Sequence, residues 1–98
     1  MNKPAGKYVY YREIYLQEEK PKYYAELVKS GTLNEHLDSI NKQAHELKDR
    51  IVEKLKKESP EWQQLVETAD NDFFKQVRLR NQFDSIADEY VYQDIIYA

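Results

Sequence analysis

Between Thr32 and Ser59 apolar residues recur at heptad spacing, and this repeat limits the fold more than any other stretch. Leu33, Leu37, Ile40, Ala44, Leu47 and Ile51 follow at steps of 4, 3, 4, 3 and 4. Such steps place one narrow apolar stripe along a helix whose other faces are charged. The stretch opens with Thr32-Leu33-Asn34-Glu35, the pattern of a capping box. It closes at Ser59-Pro60, where proline cannot continue one helix but suits the first turn of the next. The spacing predicts one helix over about residues 33–58, roughly 39 Å long at about 1.5 Å per residue. A compact chain of this size has a radius of gyration of about 13 Å. The helix is therefore the spine of an elongated bundle, or part of a larger assembly.

The rest of the 98 residues fits an all-α reading, as a single helical domain over residues 1–98 with 1–6 loose. Two glycines and three prolines are too few for a turn-rich β fold. Tyr8, Val9, Tyr11, Tyr15 and Leu16 predict a first helix from Lys7 to about Glu19, ended by Pro21. Tyr24, Leu27 and Val28 predict a short second helix to Ser30, with Gly31 in the left-handed position that stops it. Past the spine, Ser59-Pro60-Glu61 reads as N-cap, N1 proline and acidic first turn, and Trp62, Leu65, Val66 and Ala69 as an amphipathic face. Asp70-Asn71-Asp72 is either a break with a new cap or a polar turn inside one longer helix. Phe73, Val77, Phe83, Ile86, Ala87, Tyr90, Val91 and Ile95 predict a long last helix antiparallel to the spine. The expected architecture is an elongated antiparallel helical bundle on one long central helix.

Charge is divided unevenly. Residues 1–31 carry six Lys/Arg against four Asp/Glu, residues 32–58 six of each, and residues 59–98 three against eight. The acidic last third is repelled by phosphate backbones and attracted to basic surfaces that hold nucleic acid. Tyrosine is segregated too: six lie between positions 8 and 24 and three between 90 and 97. An antiparallel last helix brings these groups to one end, either as an aromatic core layer or as an exposed binding patch.

The residues argue against enzymatic chemistry. His36 and His45 are nine steps apart on the spine, on opposite faces, and neither belongs to a His-Glu-x-x-His set. The calcium-loop pattern begun by Asp70-Asn71-Asp72 fails at Phe74, Lys75 and Asn81. Asp84 and Asp88 share a face at i,i+4, the pattern of a solvated acidic surface. No glycine-rich phosphate loop is present. No metal, cofactor or catalytic residue is expected. No run reaches the roughly 18 apolar residues a membrane span needs. Residues 1–6 lack the apolar segment of a secretory leader, and the absence of cysteine fits a reducing bacterial cytoplasm.

Two nucleic-acid features compete with a protein-binding reading. Residues 22–44 have the outline of a helix-turn-helix, yet the second helix would offer Asn34, Glu35, Asp38 and Ser39 to the groove. Lys75, Arg78 and Arg80 form a small basic spot flanked by Asp72 and Asp84.

The stretch from Tyr15 to Ala44, YLQEEKPKYYAELVKSGTLNEHLDSINKQA, resembles the transposon-encoded TnpV family pattern YLxExxPxxYxxLxxSGxLxxHLxxIxxQA. Gly6-Lys7-Tyr8, Ala87-Asp88-Glu89, Val91 and Asp94-Ile95-Ile96-Tyr97 are similar too, so the resemblance covers most of the chain outside residues 45–70. It implies a gene carried by a transposon, integrative element or phage. The resulting expectation is a non-enzymatic accessory protein, possessing no cofactor, that binds a nucleic-acid enzyme such as a recombinase or a host-defence nuclease. An anti-CRISPR-type inhibitor is one concrete form. Asp84, Asp88, Glu89, Asp94, Tyr90 and Tyr97 are the expected contact residues. The alternative is an excisionase-like DNA binder using the corner at residues 22–44. The seam also allows two spines to pair as a homodimer.

Overall fold

A computed structural model describes residues 3–67 and 72–98. It is all-α among those residues: α1 (Lys7–Glu19), α2 (Pro21–Ser30), α3 (Leu33–Glu58), α4 (Pro60–Glu67) and α5 (Phe73–Val91), which runs on into a π-helical turn at Tyr92–Ile96. The principal extents are 56 × 25 × 18 Å and the radius of gyration is 17.3 Å. That exceeds the roughly 13 Å of a compact chain, as the long spine requires.

The heptad stripe is the buried face of α3. Leu37, Ile40 and Ala44 are buried, and Leu33, Leu47 and Ile51 half-buried. At one end Ile40 and Ala44 meet Tyr8 of α1 with Val91 and Ile96. At the other, Val52 and Leu55 pack with Leu65 and Trp62 of α4 and with Leu79 and Phe83 of α5. Low numbers on α3 thus meet high numbers at the end of the chain, so α5 runs antiparallel to α3.

The corners follow local chemistry. Gly31 adopts φ 75°, the left-handed conformation glycine tolerates without strain. Its N–H donates to Val28 O at 3.1 Å, and Thr32 N–H donates to Leu27 O at 3.0 Å. This pairing is a Schellman motif. It also explains why the expected capping box does not form. Thr32 has no side-chain cap hydrogen bond to α3, and its N–H donates to Leu27 O rather than to the Glu35 carboxylate. Its hydroxyl instead lies 2.7 Å from Ser30 Oγ. At the next corner Ser59 does cap α4, accepting from Trp62 N at 3.1 Å. Asp72 caps α5, accepting from Lys75 N at 3.1 Å, so a new helix starts at Phe73. Asp70 and Asn71, like Ala69, lie outside the described residues.

Several faces differ from the sequence pattern. Val28, Val66 and Phe73 were expected inward but are exposed. Each helix here is packed on one side only, and Leu27, Leu65 and Leu79 fill that side. Residues 3–6, expected to be loose, carry no regular structure, but Lys3 forms an ion pair with Glu13 of α1.

Candidate functional site

The tyrosine-rich end is built in two layers. The inner layer is polar. Asp88 projects from α5 toward α1 and α3, where it meets three donors. Lys7 Nζ lies 2.6 Å from Oδ2 and Lys48 Nζ 3.5 Å from Oδ1, and the Tyr8 hydroxyl also donates to Oδ1. Burial pushes the Asp88 carboxyl up, but the hydrogen bonds from Lys7 and Tyr8 and the charge of Lys48 prevail, leaving it below the usual carboxylate range. The Tyr8 hydroxyl is pushed well up by its burial and by the bond to Asp88. The Asp88 hydrogen bond lifts Lys7 above its ordinary value. At neutral pH the cluster is a carboxylate held between two ammonium groups and a neutral phenol.

Arg12 forms the second polar contact of this layer. Tyr8, Arg12 and Leu16 stand at i,i+4 steps, so the core-facing stripe of α1 carries a guanidinium at its centre. Arg12 is 6% exposed. Its Nη1 donates to Ile96 O at 2.9 Å, Ala98 O at 2.8 Å and, more weakly, Ile95 O at 3.5 Å. Its Nε–H donates to His36 Nε2 at 3.3 Å. The π-helical turn, closed by Tyr97 N–H to Tyr92 O at 2.9 Å, leaves those carbonyls without helical donors. Arg12 supplies the donors they lack. Burial, and then the nearby Arg12 charge, hold the His36 imidazole below its ordinary pKa, so it is a neutral acceptor here.

The outer layer is aromatic. Tyr8, Tyr11 and Tyr97 all contact Tyr92, with ring centroids 5.9, 5.7 and 5.9 Å away. Tyr97 continues to Tyr15 at 5.6 Å. The tyrosines are divided between core and surface. Tyr8 is core at 2% exposure, whereas Tyr90 is 51% and Tyr97 47% exposed. Glu89 and Asp94 are exposed beside these last two. Glu89, Tyr90, Asp94 and Tyr97 fall within nine positions and make up an exposed strip of the sequence near its end.

The six residues expected to bind a partner are thus divided. Glu89, Tyr90, Asp94 and Tyr97 lie on the outer strip. Asp84 is half-buried. Asp88, expected on a solvated acidic face, instead points inward because Lys7, Lys48 and Tyr8 all approach it from the facing helices. Nor do the basic residues form one patch. Arg78 and Arg80 are about 200° apart around α5. Arg80 stacks on Trp62 with its guanidinium carbon 5.5 Å from the ring, while Arg78 is exposed and Lys75 stands in the first turn of α5. At the helix-turn-helix-like corner Glu35 is exposed and Asp38 pairs with Lys42 at 3.2 Å. His36 and His45 take separate roles, His36 on Arg12 and His45 edge-on to Tyr8 at 5.1 Å. Sequence reasoning missed Arg12, Lys7 and Lys48. Only Arg12 left a signal, a charge midway between two apolar residues of one stripe.

Among the described residues no helix is long and apolar enough to cross a membrane. Neither a search of curated proteins nor one of solved structures gave a match. The family comparison did: residues 1–96 match the model of the transposon-encoded protein TnpV, including the 45–70 stretch that the motif left out. With nearly its whole length matched and the Pro21, Ser30-Gly31 and His36-Leu37 spacing built into its first corner, the chain belongs to the TnpV family of transposon-encoded proteins.

Proposed function

We propose that this protein works without catalysis, by docking the strip of Glu89, Tyr90, Asp94 and Tyr97 onto the basic surface of a nucleic-acid enzyme. Half-exposed tyrosines beside exposed carboxylates, in the acidic third of the chain, are the observation that carries this reading. Tyrosine gives large contact area at small entropic cost. Carboxylates steer approach to surfaces that otherwise hold phosphates. Asp88 and Arg12 serve as positioning residues beneath the strip, one fixing α5 against α1 and α3, the other fixing the π-helical turn. The enzyme is the element's own recombinase or a host-defence nuclease, in the latter case as an inhibitor of anti-CRISPR type.

The test is titration of the purified protein against each enzyme over a range of salt. Binding should weaken with salt, and the double variant E89K/D94K should lower affinity by roughly tenfold or more. Unchanged binding by E89K/D94K would overturn the assignment of the strip. A gel shift against the element's end sequences covers the competing reading. Salt-sensitive DNA binding would replace enzyme docking by a DNA contact at the corner of residues 22–44.

A further inference from the structure

The groove between the second half of α3 and the C-terminal half of α5 has a volume of about 370 Å3 and is lined by Ile51, Lys54, Leu55, Glu58, Ile86 and Tyr90. On the other flank of the same two helices, α4 seats Trp62 and Leu65 against Val52, Leu55, Leu79 and Phe83. The α3–α5 pair is therefore covered on one flank and, among the described residues, open on the other. We infer that a second copy of this chain fills the open groove, the two copies pairing about a two-fold axis.

Charge complementarity selects a second copy over a foreign helix. The groove carries one cation and one anion, Lys54 and Glu58, one helical turn apart on α3. Neither makes an ion pair with another described residue. Lysine four residues before glutamate is the less favourable order for a pair within a helix, so both charges are available to an outside partner. In an antiparallel, isologous pairing whose axis crosses near position 56, each Lys54 faces Glu58 of the other copy, and the same bridge forms twice. Ile51, Leu55 and Ile86 supply apolar contact on the same face. Residues 32–58 carry six positive and six negative side chains, so α3 has no net charge to repel its copy. This inference goes beyond the docking reading, and Tyr90 is the residue the two surfaces share.

The experiment is sedimentation velocity of the full chain across a dilution series. The wild type should show a concentration-dependent doubling of mass. K54E and E58K each place like charges opposite one another twice over and should weaken association by about tenfold or more. An equimolar mixture of K54E and E58K restores both bridges in a heterodimer and should recover the wild-type mass. Both substitutions lie at exposed helical positions, and circular dichroism checks that each variant keeps its helix content. A wild type that stays monomeric throughout overturns the inference. So do single variants that pair as well as wild type, or a mixture that fails to recover. None of these outcomes bears on E89K/D94K, so docking and pairing fail separately.

Discussion

The two ends of the rod are held together by different means. At the tyrosine-rich end the core draws on α1, α3, α5 and the π-helical turn, and Ala44, Val91 and Ile96 are 0% exposed. Buried Arg12 and half-buried Asp88 have named partners there, Arg12 main-chain oxygens and Asp88 Lys7, Tyr8 and Lys48. At the far end three helices enclose Leu65, Leu79 and Phe83, at 4–7% exposure. Trp62 lies edge-on to Phe83 at 6.0 Å and beneath Lys56 at 5.2 Å, while Val66, Phe73 and Phe74 face outward. The first end is a tightly specified platform for the exposed strip. The second completes the spine with a looser seal. Local stability should differ accordingly.

The strongest test of that contrast removes one core side chain at each end. Ile96→Ala should lower unfolding free energy by about 3–4 kcal/mol, because its closed surroundings cannot collapse into the vacated space. Leu65→Ala should cost about 2 kcal/mol, since the eight-residue α4 can shift to fill it. Urea denaturation of both variants checks the order, and a larger loss at Leu65 would break the contrast.

Arg12→Leu should cost about 2–3 kcal/mol, chiefly by stranding the buried Ile96 oxygen, with the part-buried bond to Ala98 lost as well. Arg12→Lys should recover only part of this, because an ammonium lacks the fork that reaches several oxygens and His36 together. Amide exchange should quicken at residues 92–97 in both variants while α4 is unaffected.

Arg12 also marks where sequence reading stops. The helix bounds were legible because each rests on local signals: Pro21, Gly31, Ser59-Pro60 and the heptad steps of α3. The gathering of tyrosines followed from an antiparallel return and needed no side-chain detail. What escaped was long-range. Nothing near Arg12 announces that its partners lie at Ile96 and Ala98, and nothing near Asp88 points to Lys7, 81 positions away. The π-helical turn was invisible for the same reason, since its carbonyls are satisfied by a side chain from the other end of the sequence. The failed capping box at Thr32 is the local counterpart: its residues were right, but the preceding glycine corner had already taken the N–H.

Asp88→Asn should cost about 1.5 kcal/mol at neutral pH, as charge-assisted hydrogen bonds become neutral ones. Acidification extends this comparison. A depressed Asp88 pKa stabilises the fold above the unfolded carboxyl value of about 3.9, and that contribution disappears as pH falls through the folded value. His36 acts with the same sign at higher pH. Its folded pKa is also lowered, so the unfolded chain binds the proton first and stability declines as pH drops below about 6.5. Denaturation midpoints should fall in two steps on acidification. H36Q should remove the upper step and D88N the lower; a single step retained in both variants would show that the polar layer does not govern acid stability.

The smallest effects separate the three helix starts. Ser59→Ala and Asp72→Ala each delete an oxygen that accepts from a first-turn N–H, and each should cost about 1 kcal/mol at the far end. Thr32→Ala removes only the hydroxyl contact with Ser30. The Leu27 carbonyl keeps its bond from the residue-32 N–H, so the loss should stay near a few tenths of a kcal/mol. A cost of about 1 kcal/mol at Thr32 would mean that its side chain caps α3 in solution after all. The corner would then be held by the capping box as well as by the glycine turn, and the tyrosine-rich end would owe part of its stability to a bond that the Ser30–Thr32 geometry excludes.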